Sequence, residues 1–147
     1  MTQSRQAPLR LGVIGAGLIW MREHQKALAQ LPEAFEPVAF CDIDSQRRAA
    51  VALDFPNAAV LERHEDLLAL PQVEAVLVLT PIALNAPVAL AALRAGKHVI
   101  VEKPIACGVA EAQTLLRQAR ASDLRLCVAE HMAYRPADDT LADFLKG

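Results

Sequence analysis

Short apolar runs alternate with stretches of helical periodicity along nearly the whole chain, and that alternation leaves few folds open. Leu9 to Gly15 is a compact apolar run closed by glycine. Beyond it Leu18, Met21, Gln25 and Leu28 fall on one helical stripe. Pro37 to Asp42 reads as a second buried strand, after which Asp44 or Ser45 caps a helix that buries Ala49, Ala50 and Leu53. Ala58 to Leu61 is a short third strand, Glu65 to Leu70 a short helix, and Val73 to Thr80 a fourth strand closed by Pro81. A helix from Leu84 to Ala95 ends at Gly96, where a left-handed cap is cheap for glycine, and Val99 to Val101 resumes as strand. The spacing then predicts a helix over Val109 to Ala121, with Val109, Ala112, Leu116 and Ala119 inward, a strand over Leu124 to Ala129, and a short amphipathic helix over Ala137 to Lys146. Parallel strands joined by right-handed helical crossovers make one doubly wound sheet between two helical layers, a three-layer α/β/α domain.

Composition agrees with one such domain. The chain has 147 residues, 54% of them apolar and 4% aromatic, which suits a core of Ala, Val, Leu and Ile in strands buried on both faces. A net charge of -2, with no basic cluster beyond Arg47 and Arg48, gives no field that would gather nucleic acid. The cysteines Cys41, Cys107 and Cys127 are odd in number and widely separated, which reads as reduced thiols. No apolar run reaches the length of a bilayer span and the first ten residues hold no leader-like core, so the expectation is a cytoplasmic protein without a membrane partner. His24, His64, His98 and His131 lack metal-ligand spacing, and no metal is expected.

The sharpest local signal is Gly15-Ala16-Gly17-Leu18-Ile19-Trp20, at the point where the first strand turns into the first helix. Gly15 makes the tight turn, and Gly17 lets backbone N–H groups approach a pyrophosphate favoured by the positive end of the helix dipole. This is the dinucleotide-binding turn of a Rossmann fold, with one departure. Trp20 stands where a third glycine would let helix pack closely on strand, so the helix tilts or the indole points away from the sheet. Read as structure alone, the two glycines form only a strand-to-helix turn. Asp42 ends the second strand 25 residues beyond Gly17, close to the spacing of a carboxylate that accepts hydrogen bonds from an adenosine ribose. It favours NAD, because a carboxylate repels a 2′-phosphate, while Arg47 and Arg48 soften that preference and leave NADP possible. Asp44 reads as a helix cap.

Taken with Thr80-Pro81 and with Ala95-Gly96-Lys97-His98 leading through Val99-Ile100-Val101 into Glu102-Lys103-Pro104, these residues resemble the Gfo/Idh/MocA oxidoreductases, the glucose–fructose oxidoreductase and inositol dehydrogenase group. The resemblance covers nearly the whole chain, including His24 in the first helix and Cys41-Asp42-Ile43-Asp44, and Glu-Lys-Pro is its most diagnostic element. It implies that Lys103 is the catalytic residue, beside the nicotinamide and the reacting hydroxyl. Gly15, Ala16, Gly17, Leu18, Ile19, Asp42, Ile43, Thr80, Pro81, Asn85, Glu102 and Lys103 then form the cofactor site. Asn85 stands where many relatives carry histidine, and Glu102 is a partner or backbone support for the lysine. An ammonium at the carboxyl edge of a parallel sheet can polarise a carbonyl or stabilise a developing alkoxide. His24 reads as a helix residue near the cleft, and Glu130, His131, Tyr134 and Arg135 match a segment that lines the family's domain interface.

The resemblance also implies a second, open-faced sheet domain that supplies the substrate pocket and an Asp-x-x-x-His proton relay. No such residues stand in this sequence, and Gly147 falls where that domain begins in relatives. Residues 1–147 therefore read as the NAD(P)-binding domain alone, with the second substrate domain absent. It comes from an oxidoreductase that acts on a CH–OH group of a sugar, polyol or related small molecule. Turnover by this chain alone is expected to be absent or feeble, since proximity and general acid–base catalysis both need the missing wall. A homo-oligomer is possible. The alternative is a non-enzymatic dinucleotide-binding or sensing module.

Overall fold

A computed structural model describes residues 7–130. Six strands, β1 Leu9–Ile14, β2 Phe35–Cys41, β3 Ala59–Leu61, β4 Ala75–Val78, β5 His98–Glu102 and β6 Leu126–Ala129, form one sheet of order β3-β2-β1-β4-β5-β6. Every pairing is parallel. Strand order therefore reverses between β1 and β4, which opens a crevice at the carboxyl edge there, the place where open α/β sheets receive ligands. The expected fold class holds.

Between the strands lie a π-helical turn, Trp20–His24, that runs into α1, Gln25–Ala29, then α2 Ser45–Asp54, α3 His64–Leu68, α4 Ile82–Arg94 and α5 Val109–Ala121. Alternate side chains of the strands face two separate cores. Leu11, Val13, Phe40, Ala75 and Leu77 pack with Trp20 and Val51 on one face, while Ala39, Cys41, Val76, Val78, Val99 and Val101 pack with residues of α3, α4 and α5 on the other. The period of two along β4, Ala75 and Leu77 one way and Val76 and Val78 the other, is what makes its sequence a continuous apolar run.

Caps fall largely where the sequence places them. The Asp44 carboxylate accepts from the backbone N–H groups of Gln46 and Arg47 at the start of α2. At the end of α4, Gly96 adopts φ +76° while Gly96 N–H and Lys97 N–H donate to the carbonyls of Leu93 and Ala92, a Schellman cap. Lys97 adds a second tie, its Nζ donating to the Leu70 and Val73 carbonyls at 2.9 and 2.8 Å and fixing the loop into β4.

Three helix faces differ from the expectation. On α2 the buried residue is Val51, with Ala49, Ala50 and Leu53 outward, and on α5 Leu115 and Ala119 face inward while Val109 and Leu116 are exposed. Adjacent leucines at 115 and 116 let two phases of the same helical period fit, and the packing against α4 selects the first. In the first helix Leu18 and Met21 are exposed and Trp20 is 1% exposed, because the helix opens with a π turn in which the Gln25 N–H reaches back five residues to the Trp20 carbonyl. The indole points into the core rather than away from the sheet. It lies edge-on to Phe40, centroids 5.1 Å apart, and beside Phe55 at 5.9 Å.

Strand β2 starts two residues earlier than expected and takes Pro37 into the ladder. Leu11 stands opposite Pro37 and Gly12 opposite Ala39, so Val38 is an extra residue in the register with β1. Strand β3 pairs only with Ala39 to Cys41, which leaves the first half of β2 at the sheet margin where a proline is tolerated. The expected helix over residues 137–146, and His131, Tyr134 and Arg135, lie outside the described residues.

Candidate dinucleotide site

The turn after β1 is anchored from both sides. Gly15 N–H donates to the Cys41 carbonyl and Leu79 N–H to the Ile14 carbonyl, both at 2.8 Å, so the ends of β1, β2 and β4 are pinned together. Gly15 has φ +98°, and a Cβ there would lie 2.6 Å from the Leu79 carbonyl oxygen, so neither the backbone angle nor the space admits a side chain. Gly17 is different. A Cβ on it would meet only the tip of Arg47, Nη1 at 3.3 Å, so the backbone there is open to whatever approaches the turn. That is the cradle a pyrophosphate needs, and it fits a dinucleotide.

Asp42 does more than the sequence reading assigned to it. Its side chain is buried; Oδ2 accepts from the backbone N–H of Ala16 at 2.8 Å and Oδ1 from that of Asp44 at 2.9 Å. The carboxylate thus ties the glycine turn to the start of α2, and each oxygen keeps a lone pair for a ribose hydroxyl. The two arginines divide their work. Arg48 Nη1 donates to the carbonyls of Asp42 and Ile43 and Nη2 to Glu62, which makes it a brace for the loop. Arg47 is half exposed, with Nη1 3.6 Å from Asp42 Oδ2 and close to Gly17. Ile43 is 86% exposed beside Asp42, an apolar side chain left open to solvent at the end of β2. Burial, together with the Asp42 carboxylate, pushes the Cys41 thiol up to about 11, and its Sγ donates to the Glu62 carbonyl, so it is a packed, protonated side chain.

On the other side of the crevice, beyond β4 and β5, stand Thr80, Pro81, Asn85, Glu102 and Lys103. Thr80 Oγ1 donates to Asn85 Oδ1 at 2.9 Å, and Asn85 Nδ2 donates to the carbonyls of Glu102 and Pro104 at 3.1 and 3.0 Å. Asn85 is 1% exposed, so its amide serves the backbone on either side of Lys103. The Lys103–Pro104 peptide is cis and Lys103 itself is exposed at the edge. Glu102 Oε2 accepts from the Lys103 backbone N–H at 3.0 Å, and Oε1 lies 2.8 Å from His24 Nε2. The sequence reading missed this last contact, which joins residues 78 apart; its one signal was His24 itself, read as a helix residue near the cleft.

The residues inferred for the site therefore gather along one edge: the glycine turn with Leu18 and Ile19 in the middle, Asp42 and Ile43 toward β2, and Thr80, Asn85 and Lys103 toward β5. Among the described residues no three His, Cys, Asp or Glu side chains gather as a metal site, and no helix is long and apolar enough to cross a membrane.

Residues 9–130 match the Gfo/Idh/MocA model, described as an oxidoreductase family with an NAD-binding Rossmann fold. The chain belongs to that family. Among Gfo/Idh/MocA relatives, a dTDP-3,4-didehydro-2,6-dideoxy-alpha-D-glucose 3-reductase of Streptomyces violaceoruber is 39% identical over 135 residues, covering 89% of this chain and 39% of the relative. A scyllo-inositol 2-dehydrogenase (NADP(+)) of Bacillus subtilis is 33% identical, over 82% of this chain and 32% of its own length. The crystal structure of a 3-ketoreductase from Actinomadura kijaniata in complex with NADP and TDP-benzene superposes with a TM-score of 0.86 at 33% identity, over 95% of this chain and 42% of that one. The chain thus spans about two fifths of the length of these Gfo/Idh/MocA proteins or less. It carries their NAD(P)-binding Rossmann domain.

Proposed function

We propose that this chain holds NAD(P)(H) for an oxidoreductase that moves a hydride between the nicotinamide and a carbon bearing a hydroxyl in a sugar, polyol or nucleotide-linked sugar. The observation that carries the reading is the placement, along one sheet edge, of an open Gly17 backbone, the Asp42 carboxylate and the braced Glu102-Lys103-Pro104 segment. Similarity to a scyllo-inositol 2-dehydrogenase, a dTDP-sugar 3-reductase and a 3-ketoreductase crystallised with NADP and TDP-benzene supports this substrate class.

In this reading the adenosine ribose lies on Asp42, the adenine on Ile43, the pyrophosphate over Gly15 to Ile19, and the nicotinamide end toward Thr80, Pro81, Asn85 and Lys103. The bound dinucleotide supplies or accepts the hydride. Lys103 handles the proton: in the reducing direction its ammonium donates to the oxygen as the hydride arrives at carbon, and in the oxidising direction the neutral amine takes the hydroxyl proton as the hydride leaves, the charge on the lysine stabilising the alkoxide-like oxygen. Asn85 and Glu102 fix the backbone from which that side chain extends. Asp42 disfavours a 2′-phosphate and Arg47 offsets this, so NAD is preferred and NADP accepted. Proximity and general acid–base catalysis both need a wall that holds a substrate against Lys103, so residues 7–130 by themselves are expected to turn over feebly.

Calorimetric titration with NAD(H) and NADP(H) tests the reading. Saturable binding with NAD tighter is the expected result; absence of binding, or a tenfold preference for NADP, overturns the cofactor assignment. Steady turnover of a polyol or sugar by the 147-residue chain alone would overturn the claim that a second wall is needed.

A further inference from the structure

We propose that His24 is a positioning residue for Lys103: its bond to Glu102 holds the Glu102–Pro104 segment in place at the nicotinamide end of the crevice. The inference rests on the dinucleotide reading above for what the segment serves, and on the contacts alone for how it is held.

Lysine has a long flexible stem, so where its ammonium can reach depends on how firmly the backbone beneath it is held. Two of the anchors come from Asn85, which grips the carbonyls of Glu102 and Pro104 from the side of α4. The third is the Glu102 carboxylate, whose Oε2 accepts from the Lys103 N–H. That carboxylate is nearly buried, its side chain 12% exposed, and a carboxylate with a single partner would turn toward water and drop the Lys103 amide. His24 prevents this. An ionised carboxylate offers only acceptors, so Nε2 carries the proton and donates to Oε1 at 2.8 Å.

The π turn explains how His24 gets there. In an α-helix residues four apart share a face, and Trp20 and His24 would both point at the sheet. A π turn holds more residues per revolution, so the fourth residue falls short of a full circle. Trp20 can then fill the core against Phe40 while His24 reaches across the end of β4 to Glu102 at the end of β5. The same turn thus takes up the tryptophan that replaces the third glycine and places the histidine.

The test uses the 147-residue chain and compares wild type, H24Q and H24A. Amide exchange at Lys103 is followed by NMR without ligand, with Val76 and Val99 as reference amides in the sheet. NADH and ADP-ribose, which lacks the nicotinamide, are then titrated calorimetrically. In H24A, exchange at Lys103 is expected to quicken about tenfold with the reference amides unmoved, the scale of one hydrogen bond to a carboxylate. NADH should weaken at least about threefold more than ADP-ribose. H24Q, which keeps an N–H of similar reach, should recover most of both. Unchanged exchange at Lys103, equal loss for the two ligands, or no recovery by glutamine overturns the proposal. Should H24A fail to fold, H24N, whose amide is too short to span the gap, takes its place. A wild-type chain that binds neither ligand refutes the dinucleotide reading, while the exchange comparison still decides the role of His24.

Discussion

Replacing Asp42 by alanine should cost stability before any cofactor is added. The side chain satisfies two backbone donors, and they are not equivalent. The Ala16 N–H is buried, Ala16 being 3% exposed, so losing its 2.8 Å partner leaves a donor without solvent, a cost of about 1–3 kcal/mol. The Asp44 N–H lies nearer the surface and can turn to water, so its 2.9 Å bond accounts for only about 0.5–1.5 kcal/mol. Arg47, half exposed and 3.6 Å away, adds little because solvent screens it. The sum is about 1.5–4.5 kcal/mol, a large share of the roughly 5–15 kcal/mol that holds a domain folded. Urea unfolding followed by the fluorescence of Trp20, the single tryptophan and a buried one, reads this out directly. Asp42→Asn keeps an oxygen for one of the two donors and should lose about half as much. A D42A variant within about 0.5 kcal/mol of wild type would refute the reasoning. The asparagine variant is therefore the cleaner probe of ribose binding, because in D42A a loosened glycine turn and a lost sugar contact are measured together.

The two glycines of the turn should separate folding from binding. Gly15→Ala combines a left-handed φ with a backbone clash and should lose about 2–5 kcal/mol in the same unfolding assay, whereas Gly17→Ala meets only the movable Arg47 tip, folds within about 1 kcal/mol of wild type and weakens NADH about tenfold or more by calorimetry. Arg47→Ala should weaken NADP(H) more than NAD(H), by about tenfold in the ratio of dissociation constants, while Arg48→Ala lowers stability instead. A thiol titration at pH 8 should find Cys107 and Cys127 reactive and Cys41 silent until the chain unfolds. Because the Cys41 value is raised in the folded state, its contribution to stability is complete below about pH 9 and is lost as pH rises toward about 11, so the fall in stability between those values should be smaller in Cys41→Ala than in wild type.

How much of this could be read from the sequence follows from which interactions are local. The order of strands and helices was legible because strands buried on both faces must be apolar throughout, as Val76 to Val78 are, and because Asp44 and Gly96 mark helix ends by their own chemistry. Gly15, Gly17 and Asp42 could be singled out as a candidate site because the spacing of a strand-turn-helix and of the next strand end puts them around one turn, where the structure places them. Helix phase was less so. In α5 adjacent leucines fit two phases, and in the first helix the π turn displaced the stripe, putting Trp20 inside and Leu18 and Met21 outside. The tie from Asp42 to the glycine turn and the bond from His24 to Glu102 were hidden, since they depend on chain segments 26 and 78 residues apart meeting at one edge.

Pro37 bears on a hazard that faces any open sheet. Along the first half of β2 nothing from β3 covers the outer margin, and a bare margin of paired-up strand is a template on which a second chain can build. A residue with no N–H, next to an extra residue that breaks the stride of the ladder, denies a newcomer the regular row of donors and acceptors it would need. Replacing Pro37 by valine would restore that row, and the first symptom should be concentration-dependent aggregation rather than loss of cofactor.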